Sequence, residues 1–374
     1  MIKVLHSVLS LETGGLENGI VNLINHSSSE FKIDVLCLRA RGPLADRIVR
    51  TGSEVRLAVN LQDHSLKAAI KAHQIAYRDG YDLVHAHGFT TMLSSFLGLQ
   101  LSRLQQGSKA RPKLINGEHG VFYADTVRRR VLQHGLFRMM DGNLAVSADL
   151  GSRLEKAFRL PVATFTPILN GVDIEKFKPD AALRVTTRQK LGFDDKQVII
   201  GTVGRLVPVK NYPLLLRAVA RLMSTYPAIQ LVLCGDGEQR HELEKLAVSL
   251  DISSRVHFLG RIDWVHAAIQ AFDVFTLTSD MEGLPNTVLE AMACQKAVVA
   301  TDVGGSREVM PVGTGLLVPA GQEDVLVDKL AALIVDEQQR REFAEKARAH
   351  VVKHLSIKAM VAHYEQYYKR IHKS

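Results

Sequence analysis

Cysteine is scarce in this chain of 374 residues: there are three, Cys37, Cys234 and Cys294, odd in number, far apart and each set inside an apolar run. That excludes a disulfide framework or a cysteine metal cluster and reads as reduced core thiols. Tryptophan occurs once and no RNA-recognition motif is present, which disfavours nucleic-acid binding. No low-complexity segment occurs. The opening run MIKVLHSVLS reaches Glu12 before any membrane-length apolar stretch develops and carries no small-residue cleavage site, so a cytoplasmic protein is expected. There is no Gly-x-Ser-x-Gly elbow and no P-loop. The run Gly235-Asp236-Gly237-Glu238-Gln239-Arg240 lacks the last glycine of a dinucleotide fingerprint and the acidic residue that should follow, which disfavours a dehydrogenase.

What is present is the balance of a globular protein, 46% hydrophobic and 23% charged, in a chain long enough for two cores and hence a cleft. Of the net charge of +8, residues 1–170 hold +7. A basic first half can attract phosphate-bearing molecules or an anionic surface, or be simply a solvated face. Short Val/Ile/Leu-rich runs alternate with longer amphipathic stretches, the pattern of βα units around a parallel sheet. In the first half, strands are expected at Lys3–Leu9, Phe31–Leu38, Glu54–Val59, Asp82–His87, Lys113–His119 and Asn143–Ser147. Thr164–Leu169 and the turn Asn170-Gly171-Val172-Asp173 close that series, and the domain boundary is placed in the turn and the polar stretch after it. A second series follows: Val198–Gly204, Gln230–Gly235, Val256–Gly260, Val274–Ser279, Ala297–Val303 and Leu316–Pro319. The last helix carries Met360, Val361, Tyr364 and Tyr368 at one-face spacing.

In open α/β sheets, ligands bind beyond the carboxyl ends of the strands, so the loops there carry the chemistry. After the first strand, Gly14 and Gly15 precede a helix whose free N–H groups suit a phosphate, although two glycines also serve ordinary turns. After Gly204 come Arg205 and Lys210. A planar fork and a compact charge suit a diphosphate, and cations at a helix start are otherwise at the wrong end of the dipole. The segment Ser279-Asp280-Met281-Glu282-Gly283-Leu284-Pro285-Asn286-Thr287-Val288-Leu289-Glu290 places Glu282 on a loop and Glu290 one turn inside a helix starting near Asn286. Carboxylates there can accept bonds from sugar hydroxyls while loop amides bind phosphate. His85 and His87 are metal-type residues, but they are read as structural side chains on opposite faces of their strand.

The EGLPNTVLE segment, with its two glutamates eight residues apart, resembles the signature of the retaining family-four glycosyltransferases of GT-B fold. It is joined by Gly14-Gly15-Leu16-Glu17, Asn170-Gly171-Val172-Asp173, Gly204-Arg205-Leu206 with Lys210-Asn211, and Gly304-Gly305 with Glu308, which in order and spacing cover almost the whole chain. The resemblance implies two doubly wound, Rossmann-like α/β domains facing a central cleft. An acceptor-binding domain would span residues 1–172, a nucleotide-sugar-binding domain 173–355, and a last helix, 356–374, would cross back onto the first. It implies that Arg205 and Lys210 hold the donor diphosphate, that Glu290 binds the ribose, and that Glu282 lies by the transferred sugar. Gly283, Leu284, Pro285, Asn286 and Thr287 would line sugar and phosphate, and Gly14 and Gly15 would close on the diphosphate from the other domain. His119 falls where these enzymes place a histidine near the reacting sugar, and Glu118 stands where relatives often carry an uncharged residue.

No Asp-x-Asp occurs, so no metal or other cofactor is expected, with Arg205 and Lys210 in the metal's place. The implied reaction moves a sugar from a nucleotide-diphosphate sugar to a glycan or lipid-linked acceptor in polysaccharide or exopolysaccharide synthesis, with retention. A nucleotide-sugar epimerase of the same fold and a non-catalytic nucleotide-sugar-binding protein are the alternatives. Arg128, Arg129, Arg130 and Arg138 flank Val131, Leu132, Leu136 and Phe137 in a basic amphipathic helix that suits either the inner face of an anionic membrane or packing on the sheet.

Overall fold

The computed structural model describes residues 1–58, 66–106, 112–120 and 126–374. The chain divides into two units, one of residues 1–171 with 357–374 and one of residues 172–356. In the first unit the strands are β1 (Ile2–Val8), β2 (Phe31–Cys37), β3 (Val55–Leu57), β4 (Leu83–His87), β5 (Lys113–Glu118), β6 (Gly142–Ala145) and β7 (Phe165–Pro167). They form one sheet in the order β3-β2-β1-β4-β5-β6-β7, every pairing parallel. The second unit holds β8 (Val198–Val203), β9 (Ile229–Cys234), β10 (Val256–Gly260), β11 (Val274–Leu277), β12 (Ala297–Thr301) and β13 (Leu316–Val318). Their order is β10-β9-β8-β11-β12-β13, again all parallel.

Both sheets are doubly wound, with helices to cover both faces. That is why strands such as VIIGTV and AVVAT carry apolar residues without alternation. The expected strands are present, most of them trimmed at their carboxyl ends because residues such as Gly204, Thr278 and Ser279 already belong to loops. Thr164–Leu169 supplies a seventh, edge strand. Val59, the last residue of the expected third strand, lies outside the described residues. The polar stretch after residue 180 is a helix, Ala181–Lys190, capped by Asp180 accepting from the Leu183 amide at 2.8 Å. Its Arg188 is buried and bridges to Asp273 at 3.2 Å and to the carbonyls of Asp194 and Gln197, so it ties the helix to the sheet.

The chain enters and leaves the second unit side by side, since the Val172 amide donates to the Leu355 carbonyl at 2.9 Å and Val172 bridges Ser356. The last helix, Ile357–Lys373, then packs in the first unit's core. Ile357, Met360, Val361, Tyr364, Tyr367, Tyr368 and Ile371 are buried with Ile20, Leu23 and Phe31. The one-face spacing seen in the sequence is the buried face, and its removal from water is what holds the helix there.

Candidate functional site

In a doubly wound sheet the order of connection reverses at one point, and loops diverge there to leave a crevice at the strands' carboxyl ends. The reversal falls between β8 and β11 in the second unit and between β1 and β4 in the first. The residues singled out in the sequence lie at these two places.

In the second unit the loop after β8 runs through a short turn, Pro208–Lys210, into the helix Tyr212–Thr225. Asn211 caps that helix in a left-handed conformation, φ 47°. The loop after β11 is laced to it. The Asp280 amide donates to the Val209 carbonyl at 2.8 Å, Thr278 Oγ1 donates to the Lys210 carbonyl at 3.0 Å, and Asn211 Nδ2 donates to Asp280 Oδ1 at 2.8 Å. This lacing brings Lys210 Nζ to 2.5 Å from Glu282 Oε1, a carboxylate oxygen that also accepts from Ser279 Oγ at 2.6 Å. Arg205 is exposed and has no side-chain partner among the described residues.

The helix Asn286–Ala293 begins where the sequence suggests, behind Pro285, and no side chain caps it. The Asn286 and Val288 amides already donate to the Leu284 and Pro285 carbonyls, so what the first turn offers an anion is the Thr287 N–H and the positive end of the helix dipole. Leu284 is buried beneath the loop, while Gly283, Asn286 and Thr287 are partly exposed. Glu290, one turn in, has its carboxyl pushed up to about 7, chiefly by burial, with Lys176 pulling it back. The Gly304–Gly305 turn buttresses the same loop. The Gly305 amide donates to the Gly283 carbonyl at 3.0 Å, and Gly304 has φ +54°, where a Cβ would collide with the Glu282 carbonyl.

In the first unit the helix Gly15–His26 starts behind Gly14, again without a side-chain cap. The Gly14 carbonyl accepts from the Asn18 amide at 3.1 Å and from Asn18 Nδ2 at 2.8 Å. The Glu17 carboxylate lies against Gly14, and its pKa is raised, mostly by burial. An anion arriving at this helix start therefore meets a carboxylate that must turn away. Beyond β5, Glu118 is buried, accepts from Asn116 Nδ2 at 3.1 Å, and is raised by burial to about 7. It lines a cavity of about 180 Å³ with His87, Thr90, Arg129 and Gln133.

One expectation is corrected. His85 and His87 do not diverge: successive side chains alternate along a strand, so residues two apart share a face. Their rings are 4.2 Å apart, and His6, the register partner of His85 on β1, joins them with its ring 4.8 Å from that of His85. Ring nitrogens of the three lie within 4.8 Å of one another, a donor set that could suit a metal. Five of the six nitrogens are already hydrogen-bonded to one another, to Tyr368 or to His119, which leaves His85 Nε2. His119, just after β5, joins through His87 at 2.9 Å. Burial keeps the cluster neutral, lowering His6 to about 3 and His119 to about 4 and holding His85 and His87 well below the ordinary value. Sequence reasoning missed His6 and the side-chain role of Tyr368, although the two-residue spacing of His85 and His87 was the signal for a shared face.

Two all-parallel, doubly wound units with these strand orders are those of the GT-B fold. A family model described as Glycosyl transferases group 1 matches residues 184–350, and one described as Glycosyltransferase Family 4 matches residues 13–176. The chain belongs to the group 1 glycosyltransferases. It is 27% identical over 312 residues to the N-acetyl-alpha-D-glucosaminyl L-malate synthase of Bacillus anthracis, covering 82% of this chain and 79% of that one. It is 34% identical over 198 residues to a GDP-mannose-dependent monoacylated alpha-(1-6)-phosphatidylinositol monomannoside mannosyltransferase of Corynebacterium glutamicum, a match spanning about half of each protein. The crystal structure of Anabaena Alr3699/HepE in complex with UDP shares the fold, with a TM-score of 0.83, 21% identity, and 99% of this chain and 100% of that chain covered. Among the described residues no helix is long and apolar enough to cross a membrane.

Proposed function

We propose that this glycosyltransferase is a retaining, metal-independent enzyme that moves a sugar from a nucleotide-diphosphate sugar to a glycan or lipid-linked acceptor in polysaccharide or exopolysaccharide synthesis. The observation that carries the reading is the Lys210–Glu282 pair at the β8/β11 reversal, beside a helix start and Arg205, which has no side-chain partner among the described residues. A relative described as GDP-mannose-dependent and a structural neighbour holding UDP support a nucleotide-sugar donor.

Cleavage of a sugar–phosphate bond builds negative charge on the leaving diphosphate and positive charge on the sugar ring. Arg205, Lys210 and the amide at Thr287 take up the first. Glu282 faces the second and, bonded to Lys210 and Ser279, is already ordered for it. Glu290 accepts from the ribose hydroxyls, and Gly283, Leu284 and Pro285 shape the sugar and phosphate subsite. The first unit takes the acceptor, with Gly14 and Gly15 offering amides to phosphate and His119 a ring nitrogen to a sugar hydroxyl. With fixed cations on the diphosphate, no metal enters the scheme, and the leaving phosphate itself accepts the acceptor's proton.

A peripheral contact with an anionic membrane is part of the proposal. In the helix Val127–Met139, Leu136 and Phe137 face inward, whereas Val127, Val131, Leu132 and Met139 are exposed beside Arg128, Arg130 and Arg138. Such a surface suits insertion at an acidic headgroup layer.

The test is Lys210→Ala and Glu290→Ala, assayed with a donor found by thermal-shift screening of nucleotide sugars. Each variant is expected to keep its cooperative melt while sugar transfer falls about a hundred- to a thousandfold, the effect of one preorganised charge-stabilising group. Unimpaired turnover in both overturns the assignment.

A further inference from the structure

Four histidines and one tyrosine of the first unit form an unbranched hydrogen-bonded chain. His119 Nε2 lies 2.9 Å from His87 Nδ1, and His87 Nε2 lies 2.9 Å from His6 Nδ1. His6 Nε2 lies 3.0 Å from the Tyr368 hydroxyl, which lies 2.8 Å from His85 Nδ1. The nitrogens at the two ends, His119 Nδ1 and His85 Nε2, are buried and have no partner among the described residues. Strand register builds this line. His6 on β1 pairs with His85 on β4, and His87 pairs with Gly117 on β5. Gly117 leaves the room: a Cβ there would stand 2.6 Å from His85 Nε2 and 3.1 Å from His87 Nδ1. Tyr368 enters from the last helix.

A neutral imidazole has one N–H and one lone pair, and a phenol has one O–H. Five such groups carry five hydrogens for four links, so every link can be made in only two ways. In one, all four histidines hold their proton on Nε2, and His119 presents a bare lone pair at Nδ1. In the other, all four hold it on Nδ1, and His119 presents an N–H. A tyrosine that accepted from both neighbours would strand its own buried O–H, at a cost of about 1–3 kcal/mol. The two arrangements differ by one proton held at His119 Nδ1 instead of His85 Nε2, with no change of net charge. Both nitrogens are buried, so passage between the arrangements requires transient opening of each end to water, which donates one proton and accepts the other.

We propose that His87, His6, Tyr368 and His85 are positioning residues that act on His119 as a single tautomeric unit. The reversal of the whole chain lets His119 meet a sugar hydroxyl as donor or as acceptor without being protonated. This deepens the reading that puts His119 beside the transferred sugar and rests on it for that role. The existence of the unit stands on the geometry above.

The experiment is long-range proton–nitrogen NMR on protein labelled with nitrogen-15 in histidine, the four residues assigned from single His→Gln variants. In the ligand-free protein all four rings are expected to be neutral and to carry the proton on the same named nitrogen. A mixed pattern, or a cationic ring among them, overturns the proposal. Tyr368→Phe keeps the buried shape and removes the hydroxyl that joins His6 to His85, cutting His85 off from the three-histidine run His119–His87–His6. His6, His87 and His119 are then expected to remain uniform while His85 becomes a mixture of tautomers, and an unchanged His85 overturns the coupling. Addition of a saturating nucleotide sugar is expected to shift all four rings together in the wild type and to leave His85 out in Tyr368→Phe. A shift confined to His119 overturns the positioning role. None of these readouts depends on turnover, so loss of the transferase reading through Lys210→Ala and Glu290→Ala leaves the ligand-free result standing by itself.

Discussion

Replacement of Glu290 by glutamine is expected to stabilise the protein and weaken it as a donor-binding site at the same time. Burial raises this carboxyl from an ordinary 4.5 to about 7. The folded state therefore binds the proton more tightly than the unfolded chain, and between pH 4.5 and 7 folding stability falls as pH rises. At ~1.36 kcal/mol for each pH unit, the gap amounts to about 3 kcal/mol, absent below pH 4.5 and complete above pH 7. Glutamine is uncharged at every pH, so Glu290→Gln should melt with the wild type near pH 4.5 and increasingly above it as pH rises. For a unit of this size, roughly 2–4 °C per kcal/mol gives a difference of about 6–12 °C at pH 8. Scanning fluorimetry of both proteins from pH 4.5 to 8.5 reads this directly. With donor present the order should invert in part. A carboxylate that accepts from ribose hydroxyls is worth about 1.5–3 kcal/mol, so the variant should bind about 10- to 100-fold more weakly and gain less from ligand. A melting difference that is flat with pH, or a variant less stable at pH 8, refutes the burial argument. Equal ligand-induced gains in the two proteins refute the ribose role.

Two further outcomes follow from the geometry. Gly304→Ala forces a left-handed residue, costing about 1–2 kcal/mol, and drives its Cβ into the Glu282 carbonyl. It should lower the melting point modestly and cut sugar transfer as severely as Lys210→Ala, and wild-type turnover would show that the buttress is dispensable. Replacement of Arg128, Arg130 and Arg138 by alanine should abolish salt-sensitive co-sedimentation with anionic vesicles at unchanged stability. If the wild type fails to sediment with them at low salt, the membrane contact is lost from the scheme.

Much of the second unit is legible in the order of its residues. Its strands are unbroken Val/Ile/Leu runs because both faces of a parallel sheet are buried, and Asn211, Gly283 and Pro285 punctuate them where loops must turn. Glu282 and Glu290 lie within nine residues of each other on a loop and a helix start, and Lys210 follows β8 by seven, so local spacing already implies one constellation. Adjacency is not legible: the 2.5 Å contact of Lys210 with Glu282 spans 72 positions and depends on β8 lying beside β11. The last helix is readable as amphipathic from Met360, Val361, Tyr364 and Tyr368, but not what its buried face touches.

The sharpest contrast is the histidine chain. The two-residue period of a strand is enough to put His85 and His87 on one face, and the apolar neighbours of His6 and Tyr368 are enough to mark both as buried positions of their elements. No local pattern says that β1 pairs with β4 in the register that sets His6 beside His85, that Gly117 on β5 leaves space for the rings, or that Tyr368 arrives from the far end of the chain to join them; those are properties of the folded unit. Periodicity is a local property of covalent geometry, whereas register and strand order are settled by the burial of two whole sheet faces at once, and hydrogen bonds between distant side chains follow from that global solution.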